Sequence, residues 1–337
     1  MSTKEFVHDV SAAAQPLRAT ALAGAGFELL VGLSVLTRAD RSTMRPSWVP
    51  DLAACSEALR RDVARVGERS AELWLHLLGL ALEQPGDVVA TVRGTSAAEL
   101  RRHLVGVHVP AWRALVGARA LEAAAAGDPS LLDHERYYAG QARASLERLL
   151  PLTPAQTKRR VLAVLERFAA EAFDPSVVSA LEADAAAKRA LDLPPLQLVE
   201  TATAGYRYEP EPELDRVVLV PHVAARPWLL LCQHRRTRII CYSLREEERL
   251  EGRALLLGRA LADEGRVRML RRLAAGDASL AELAETAGVA RSTAHHHLSH
   301  LRAAGLVTMR GNARAYWFTL RRDGLADARG VLAELEA

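Results

Sequence analysis

One segment near the C-terminus, 277–320, constrains the fold more than any other part of the chain. Ser279 and Glu282 have the spacing of a capping box, in which each side chain bonds a free backbone N–H at the start of a helix. Gly288 predicts the end of that helix, because glycine takes the left-handed conformation of a helix C-terminus at little cost. A second helix is predicted over 291–304 from the spacing of its apolar residues.

The second predicted helix has one apolar face and one polar face. Ala294, Leu298 and Leu301 form the apolar face, whereas the other face is polar and needs no burial. Two segments rich in strand-forming residues follow, 307–310 and 314–320, and they are separated by Gly311 and Asn312, which favour a hairpin turn. A helix, a tight turn, a donor-rich helix and a basic hairpin in this order indicate a winged helix-turn-helix.

At these residues the chain resembles the ArsR/SmtB-type regulators. The resemblance rests on the ELA core at 282–284, the HL-x-x-L-x-x-A-G-L-V string at 297–307 and a tyrosine-bearing wing. The preceding segment 260–273 resembles the family's helix before this motif. The resemblance implies a regulator of transcription, expected to be a repressor, that binds double-stranded DNA as a homodimer.

The DNA-binding residues are expected on the second helix and the wing. In helix-turn-helix proteins the N-terminal residues of the second helix contact base edges, so Arg291 and Ser292 should lie closest to the bases. A basic turn kept soluble by charge is the alternative for the wing. The complete candidate set is Arg291, Ser292, Thr293, His295, His296, Ser299, Arg302, Arg310, Asn312 and Arg314.

Charge is distributed unevenly along the chain. The net charge is +3, but the segment from Arg253 to Arg321 holds 11 arginines against 5 acidic residues, and the remainder holds 33 basic against 36 acidic residues. A basic module on a mildly acidic body is typical of phosphate binding. Three scattered cysteines and the lack of a signal-peptide pattern predict a cytoplasmic protein without disulfide bonds.

The remaining sequence predicts a mainly α fold with four parts. Residues 1–205 are expected to form an almost entirely helical body, which could sense an effector, and 206–245 a small antiparallel β element. The winged helix-turn-helix is assigned to 246–321 and a terminal helix to 322–337. Capping-box spacings at Ser96 and Thr153 predict further helix starts in the body.

The apolar run 20–37 predicts a buried helix of the body. Glu28 lies at its centre, where a carboxylate would be costly in lipid, so no membrane span is expected. This run and the later R-P-S-W string resemble the uncharacterised helical body that accompanies ArsR-like winged helices in many actinomycete regulators. That resemblance implies no known ligand, so any small-molecule effector is left unidentified.

Three short strands are predicted at 217–220, 228–232 and 238–242, with a turn over 234–237 joining the last two. If the turn contains an even number of residues, Leu230 pairs with Cys241. Cys232, His234 and Cys241 then lie on one face of the sheet. A metal- or thiol-responsive sensor is the alternative function for these residues. Burial as small hydrophobic groups is favoured, because no fourth ligand occurs at ligand spacing.

The metal function of the family is not expected here. The first helix has Ala281–Ala284 where metal-sensing relatives carry a Cys-x-Cys motif, and the last helix offers Asp323 and Asp327 without a histidine. The consecutive histidines 295–297 point about 100° apart on a helix and cannot converge on one ion. We therefore expect neither a metal nor a cofactor.

The common catalytic motifs do not occur, so no enzymatic activity is expected. The polar cluster 133–138 is interpreted as a solvated helix face. The alternative class is a small-molecule-binding protein or enzyme whose winged helix makes protein contacts.

Two apolar helices are candidates for a dimer interface. One spans 247–261 and the other is the terminal helix. In ArsR-like proteins the helices at these positions pair across the dimer axis. The body could instead cover both stripes within one chain. The predicted dimerisation residues are Leu325, Val331, Leu332 and Leu335.

Overall fold

The structure, a computed structural model, describes residues 16–38, 47–134, 137, 142–244, 250–312 and 315–335. The predicted fold class is confirmed: the chain is mainly helical, with small sheets and a C-terminal helix-turn-helix. The body helices are α1 Ala25–Leu36, α2 Glu57–Val66, α3 Ala71–Leu75, α4 Leu78–Ala81, α5 Val88–Gly94, α6 Ala97–Leu104, α7 Pro110–Val116, α8 Ala118–Ala126, α9 Arg143–Leu149, α10 Pro154–Glu171, α11 Val178–Ala190 and α12 Pro195–Ala202. The later helices are α13 Leu250–Leu261, α14 Glu264–Ala274, α15 Leu280–Ala287, α16 Arg291–Ala303 and α17 Arg322–Glu334. The strands are β1 Arg18–Ala21, β2 Tyr206–Tyr208, β3 Arg216–His222, β4 Leu230–His234, β5 Thr237–Ser243, β6 Ala278–Ser279, β7 Val307–Gly311 and β8 Tyr316–Leu320.

Helix α1 is the buried centre of the helical body, as its apolar sequence predicts. Glu28 is 0% exposed, and burial raises the pKa of its carboxyl. Its oxygens accept hydrogen bonds from the Trp48 indole at 2.7 Å and from the backbone N–H of Ala224 at 2.8 Å. This buried group is therefore satisfied, and it ties α1 to the loop after β3. Among the described residues no helix is long and apolar enough to cross a membrane.

The first sheet is mixed rather than purely antiparallel, in the order β1-β3-β5-β4. The predicted β4–β5 hairpin forms, and Leu230 pairs with Cys241 as the sequence indicates. However, β3 runs parallel to β5, and β1 runs parallel to β3. Strand β1 lies in a region predicted to be helical, and it joins residues that are almost two hundred positions later in the chain. Local sequence patterns do not encode such a pairing, because it depends on contacts between segments that are distant in the chain.

The two faces of this sheet pack into two different hydrophobic cores. Val218, Val220 and Cys241 point toward the helices of the body. Leu219 and Tyr242 lie on the opposite face, in a second core that α11 and α12 share with the winged-helix residues. Because successive side chains of a strand alternate between faces, one face of the sheet packs against the earlier helices of the body and the other packs against α11, α12 and the C-terminal part.

The segment predicted to be an extended connector contributes a strand to the wing. Strand β2 runs parallel to β7 and is an edge strand of a second sheet, ordered β2-β7-β8-β6. The connector is further held by Glu211, which is 3% exposed and accepts two hydrogen bonds from the Arg238 Nη2 atom at 2.6 and 2.7 Å. A buried, bidentate pair of this kind constrains both segments strongly. The wing is thus anchored to the first sheet through the connector.

Candidate nucleic-acid interface

The helix-turn-helix forms as its sequence predicts. Ser279 and Glu282 make both bonds of the capping box at the start of α15. Gly288 ends this helix in the left-handed conformation, with φ of 70°. Helix α16 ends at Ala303, and Gly305 follows with φ of 69°. The local signals for capping and termination therefore operate in the folded chain.

The N-terminal end of α16 is free of protein contacts that would hide it. Arg291, Ser292 and Thr293 are all exposed. Within the described part of the chain Arg291 forms no ion pair or side-chain hydrogen bond. A free guanidinium at the N-terminal end of a second helix has the position from which such helices reach base edges.

The middle of the same polar face is covered by the loop between β3 and β4. The His295 ring stacks on Trp228, with centroids 4.5 Å apart and planes inclined by 21°. Burial lowers the pKa of His295 to about 4. Ser299 is buried, and its hydroxyl donates to the His295 carbonyl oxygen at 3.0 Å. The expectation that this whole face needs no burial is therefore wrong, since residues far away in sequence cover half of it.

The three consecutive histidines contact three different neighbours. His297 is buried, and its Nδ1 lies 3.2 Å from an Arg266 nitrogen. His296 faces His300 edge-on, with ring centroids 4.8 Å apart. As the helix geometry predicts, the rings of residues 295–297 do not meet at one point.

The wing holds Arg310 in a network of contacts. Its Nε atom donates to an Asp277 carboxylate oxygen at 2.7 Å, and its guanidinium lies 5.2 Å from the Trp317 ring centroid. Asn312 is half-buried and accepts a hydrogen bond from the Ala315 N–H. Arg314, the other predicted wing residue, lies outside the described residues. Arg310 and Asn312 thus lie at the turn end of the β7–β8 hairpin.

Helices α13 and α17 pack together, with Arg253 and Glu334 forming an ion pair of 3.3 Å between them. Val331 is 5% exposed and faces the interior of the chain. Large apolar side chains on the outer surfaces of the two helices are exposed instead: Leu255 61%, Leu325 40%, Leu332 55% and Leu335 53%. The predicted dimerisation stripe therefore separates into one buried residue and several exposed leucines.

Of the two cysteines in the first sheet, Cys241 is buried and Cys232 is partly buried. Cys232 and Cys241 lie on the face that packs against the body, as the register predicts. Burial raises the pKa of Cys232 to about 12 and raises that of Cys241 as well. Since the thiolate is the form that binds metals and reacts, this environment disfavours a thiol sensor.

His234 belongs to a different cluster, which sequence reasoning missed. Its ring stacks on His103, and His108 lies beside both, with centroids 4.6 to 5.3 Å apart. Glu99 accepts from the His108 Nε2 atom at 2.7 Å instead of completing the predicted capping box. Glu99, His103 and His108 present ligand atoms within 4.8 Å of one another and could hold a metal ion. The spacing of Glu99 and His103 on one helix face was the available signal.

The fold and this surface define a helix-turn-helix protein of the DNA-binding class. A family model described as a helix-turn-helix domain matches residues 261–310. The HTH-type transcriptional regulator CmtR of Mycobacterium bovis and that of Mycobacterium tuberculosis are each 40% identical over 79 residues, which cover 23% of this chain and 67% of the relative. The crystal structure of NolR from Sinorhizobium fredii is 25% identical, with a TM-score of 0.22, over 27% of this chain and 96% of that one.

The chain belongs to the ArsR/SmtB-type helix-turn-helix transcriptional regulators, and its C-terminal domain carries the family similarity. It is a DNA-binding regulator of transcription.

Proposed function

We propose that this protein is a cytoplasmic, non-enzymatic repressor that binds an operator as a homodimer, with the N-terminal end of α16 in the major groove. The exposed, unpaired Arg291 carries this proposal, with Ser292 and Thr293 beside it. Arginine donates two parallel hydrogen bonds to guanine and is the commonest side chain in specific base contacts. The wing, through Arg310, Asn312 and Arg314, would contact the sugar-phosphate backbone.

Dimerisation through α13 and α17 is the second part of the proposal. Leu255, Leu332 and Leu335 are each more than half exposed, which is unusual for leucines that lie near each other on two packed helices. A two-fold axis at this surface would bury them and would present two copies of α16 to successive half-sites. A dimer that occupies a promoter would then exclude the polymerase.

His295, His296, Ser299 and Arg302 are the inner part of the proposed DNA-binding face. His295 stacks on Trp228 of the loop between β3 and β4, and Ser299 is buried, so full engagement of the groove requires this loop to move away from α16. The helical body, predicted over 1–205, holds the same loop through the hydrogen bond between Glu28 and the Ala224 N–H, and would in this proposal control access to the recognition helix.

Selection of bound fragments from sheared genomic DNA tests the function. The full-length protein should enrich a small set of duplexes that share an inverted repeat, and its affinity for them should fall steeply with salt as counterions are released. No enrichment, together with an affinity for duplex DNA that does not depend on salt, would contradict the proposal.

A further inference from the structure

A cavity of about 360 Å³ lies where the first sheet, the body and the winged helix meet. Residues 226–229, in the loop between β3 and β4, form one wall, and residues 302–305 at the end of α16 form another. Helices α13 and α17 close a third side. A volume of this size is in the range of sites for small organic ligands.

Basic side chains predominate among the described residues that line the cavity. Arg226, Arg253, Arg302 and Arg321 line it, and Asp327 is the one carboxylate among the described lining residues. Arg321 lies 3.3 Å from Asp327, and Arg253 is paired with Glu334. The Arg302 carbonyl oxygen accepts from the Gly305 N–H at 2.9 Å, but within the described residues the Arg302 guanidinium has no hydrogen-bond or ion-pair partner. Burial lowers the pKa of Arg302 to about 10, so a nearby negative charge would stabilise this guanidinium.

The remaining lining is largely apolar. The loop between β3 and β4 contributes Trp228 and Leu229 to the lining. Helices α13 and α17 contribute Leu256, Leu257 and Val331. A ligand that fills this space must bury an apolar portion and place one negative charge beside Arg302. We propose that the cavity binds a small organic monoanion, an aromatic or aliphatic carboxylate, with Arg302 as its counter-ion.

Such a ligand would regulate DNA binding, an inference that rests on the proposed function. Arg302 belongs to α16, whereas Trp228 belongs to the loop between β3 and β4, and both line the same cavity. Trp228 also covers His295. A carboxylate that contacts both walls binds the closed arrangement better than the open one, so it lowers the affinity for the operator.

Binding of 8-anilinonaphthalene-1-sulfonate tests the site, with N-phenyl-1-naphthylamine as its uncharged analogue. In Arg302→Gln, affinity for the sulfonate should fall about tenfold or more, because a charge-assisted hydrogen bond is lost. Affinity for the uncharged analogue should change less than about twofold. The carboxylate 1-naphthoate should displace the sulfonate, whereas inorganic phosphate at the same concentration should not.

Arg329→Gln is the matched control, because Arg329 is exposed on α17 but does not line the cavity. It should bind both dyes as the wild type does. Equal losses of both dyes in Arg302→Gln, or unchanged sulfonate affinity in a folded variant, would overturn the proposed anion site.

Operator binding measured with and without 1-naphthoate tests the regulation. The dissociation constant of the wild type for the selected duplex should rise when the carboxylate is present. The ratio of the dissociation constants with and without the carboxylate should be smaller for Arg302→Gln. A wild-type ratio of one would rule out the regulatory role even if the dye results hold. If no duplex is ever enriched, the proposed function fails, while the dye titrations still decide whether the cavity binds anions.

Discussion

The contact between Trp228 and His295 sets the strongest functional prediction. The two stacked rings hold the loop between β3 and β4 over α16, and the Arg38 guanidinium of the body lies 5.8 Å from the same tryptophan ring. DNA that uses this face must separate the rings. The free energy of the stack is therefore subtracted from the free energy of operator binding.

Trp228→Leu removes the ring that stacks on His295 and keeps an apolar side chain against α16. An aromatic pair contributes about 0.5–1.5 kcal/mol beyond its buried area. Loss of that term should strengthen operator binding by about 2- to 12-fold. The effect should appear mainly as an increase in the fraction of molecules able to bind, so it should be similar for every duplex that uses the full face.

Fluorescence anisotropy with the selected duplex measures this change, and circular dichroism verifies that the variant folds. Trp112→Leu is a matched control, because Trp112 pairs edge-on with Tyr137 inside the body and does not contact α16. It should leave operator affinity unchanged. A folded Trp228→Leu variant that binds the operator no better than the wild type would refute the idea that the body restrains α16.

Three further predictions concern base contacts, assembly and pH. Arg291→Ala should weaken binding to the selected duplex by about 1–3 kcal/mol and binding to random DNA by much less. Equal losses of affinity for both duplexes in anisotropy titrations would show that Arg291 contacts phosphates and not bases. Leu332→Glu should sediment as a folded monomer, because Leu332 is 55% exposed within one chain and an unpaired charge would be buried in the dimer; a mutant that remains dimeric would rule out this interface. His222 is fully buried, and burial lowers its pKa to about 3. Because only the unfolded chain takes up a proton there below about pH 6.5, this residue should reduce the free energy of unfolding by about 1.4 kcal/mol between pH 7.5 and 5.5. His222→Gln should therefore flatten the pH dependence in urea unfolding, and an identical slope in both proteins would contradict this.

Several parts of the candidate site could be predicted from the sequence alone. The capping box at Ser279 and the glycine after each helix both depend on interactions within a few residues. The pairing of Leu230 with Cys241 depends only on a two-residue turn and strand alternation. These features are local, so short sequence patterns are sufficient to specify them.

The histidine cluster and the cavity could not be predicted in this way. His103 and His234 are 131 positions apart, and their rings stack only because α6 and β4 meet in the body. The sequence marks Arg302 only as a candidate for DNA contact, and its place in a cavity wall beside Trp228 becomes visible only in the folded chain. Partners that are distant in the chain leave no signal in a local pattern.

The sequence by itself determined the helix-turn-helix, its caps and its family, because hydrogen bonds and apolar spacing within one segment specify them. Only the tertiary structure decided how that motif is used. It placed β1 and β2 in two different sheets, covered His295 and Ser299 with Trp228, and left Arg291 free. The physical reason is that burial of a polar face depends on which distant surface packs against it, and that packing is settled by the long-range contacts of the whole chain.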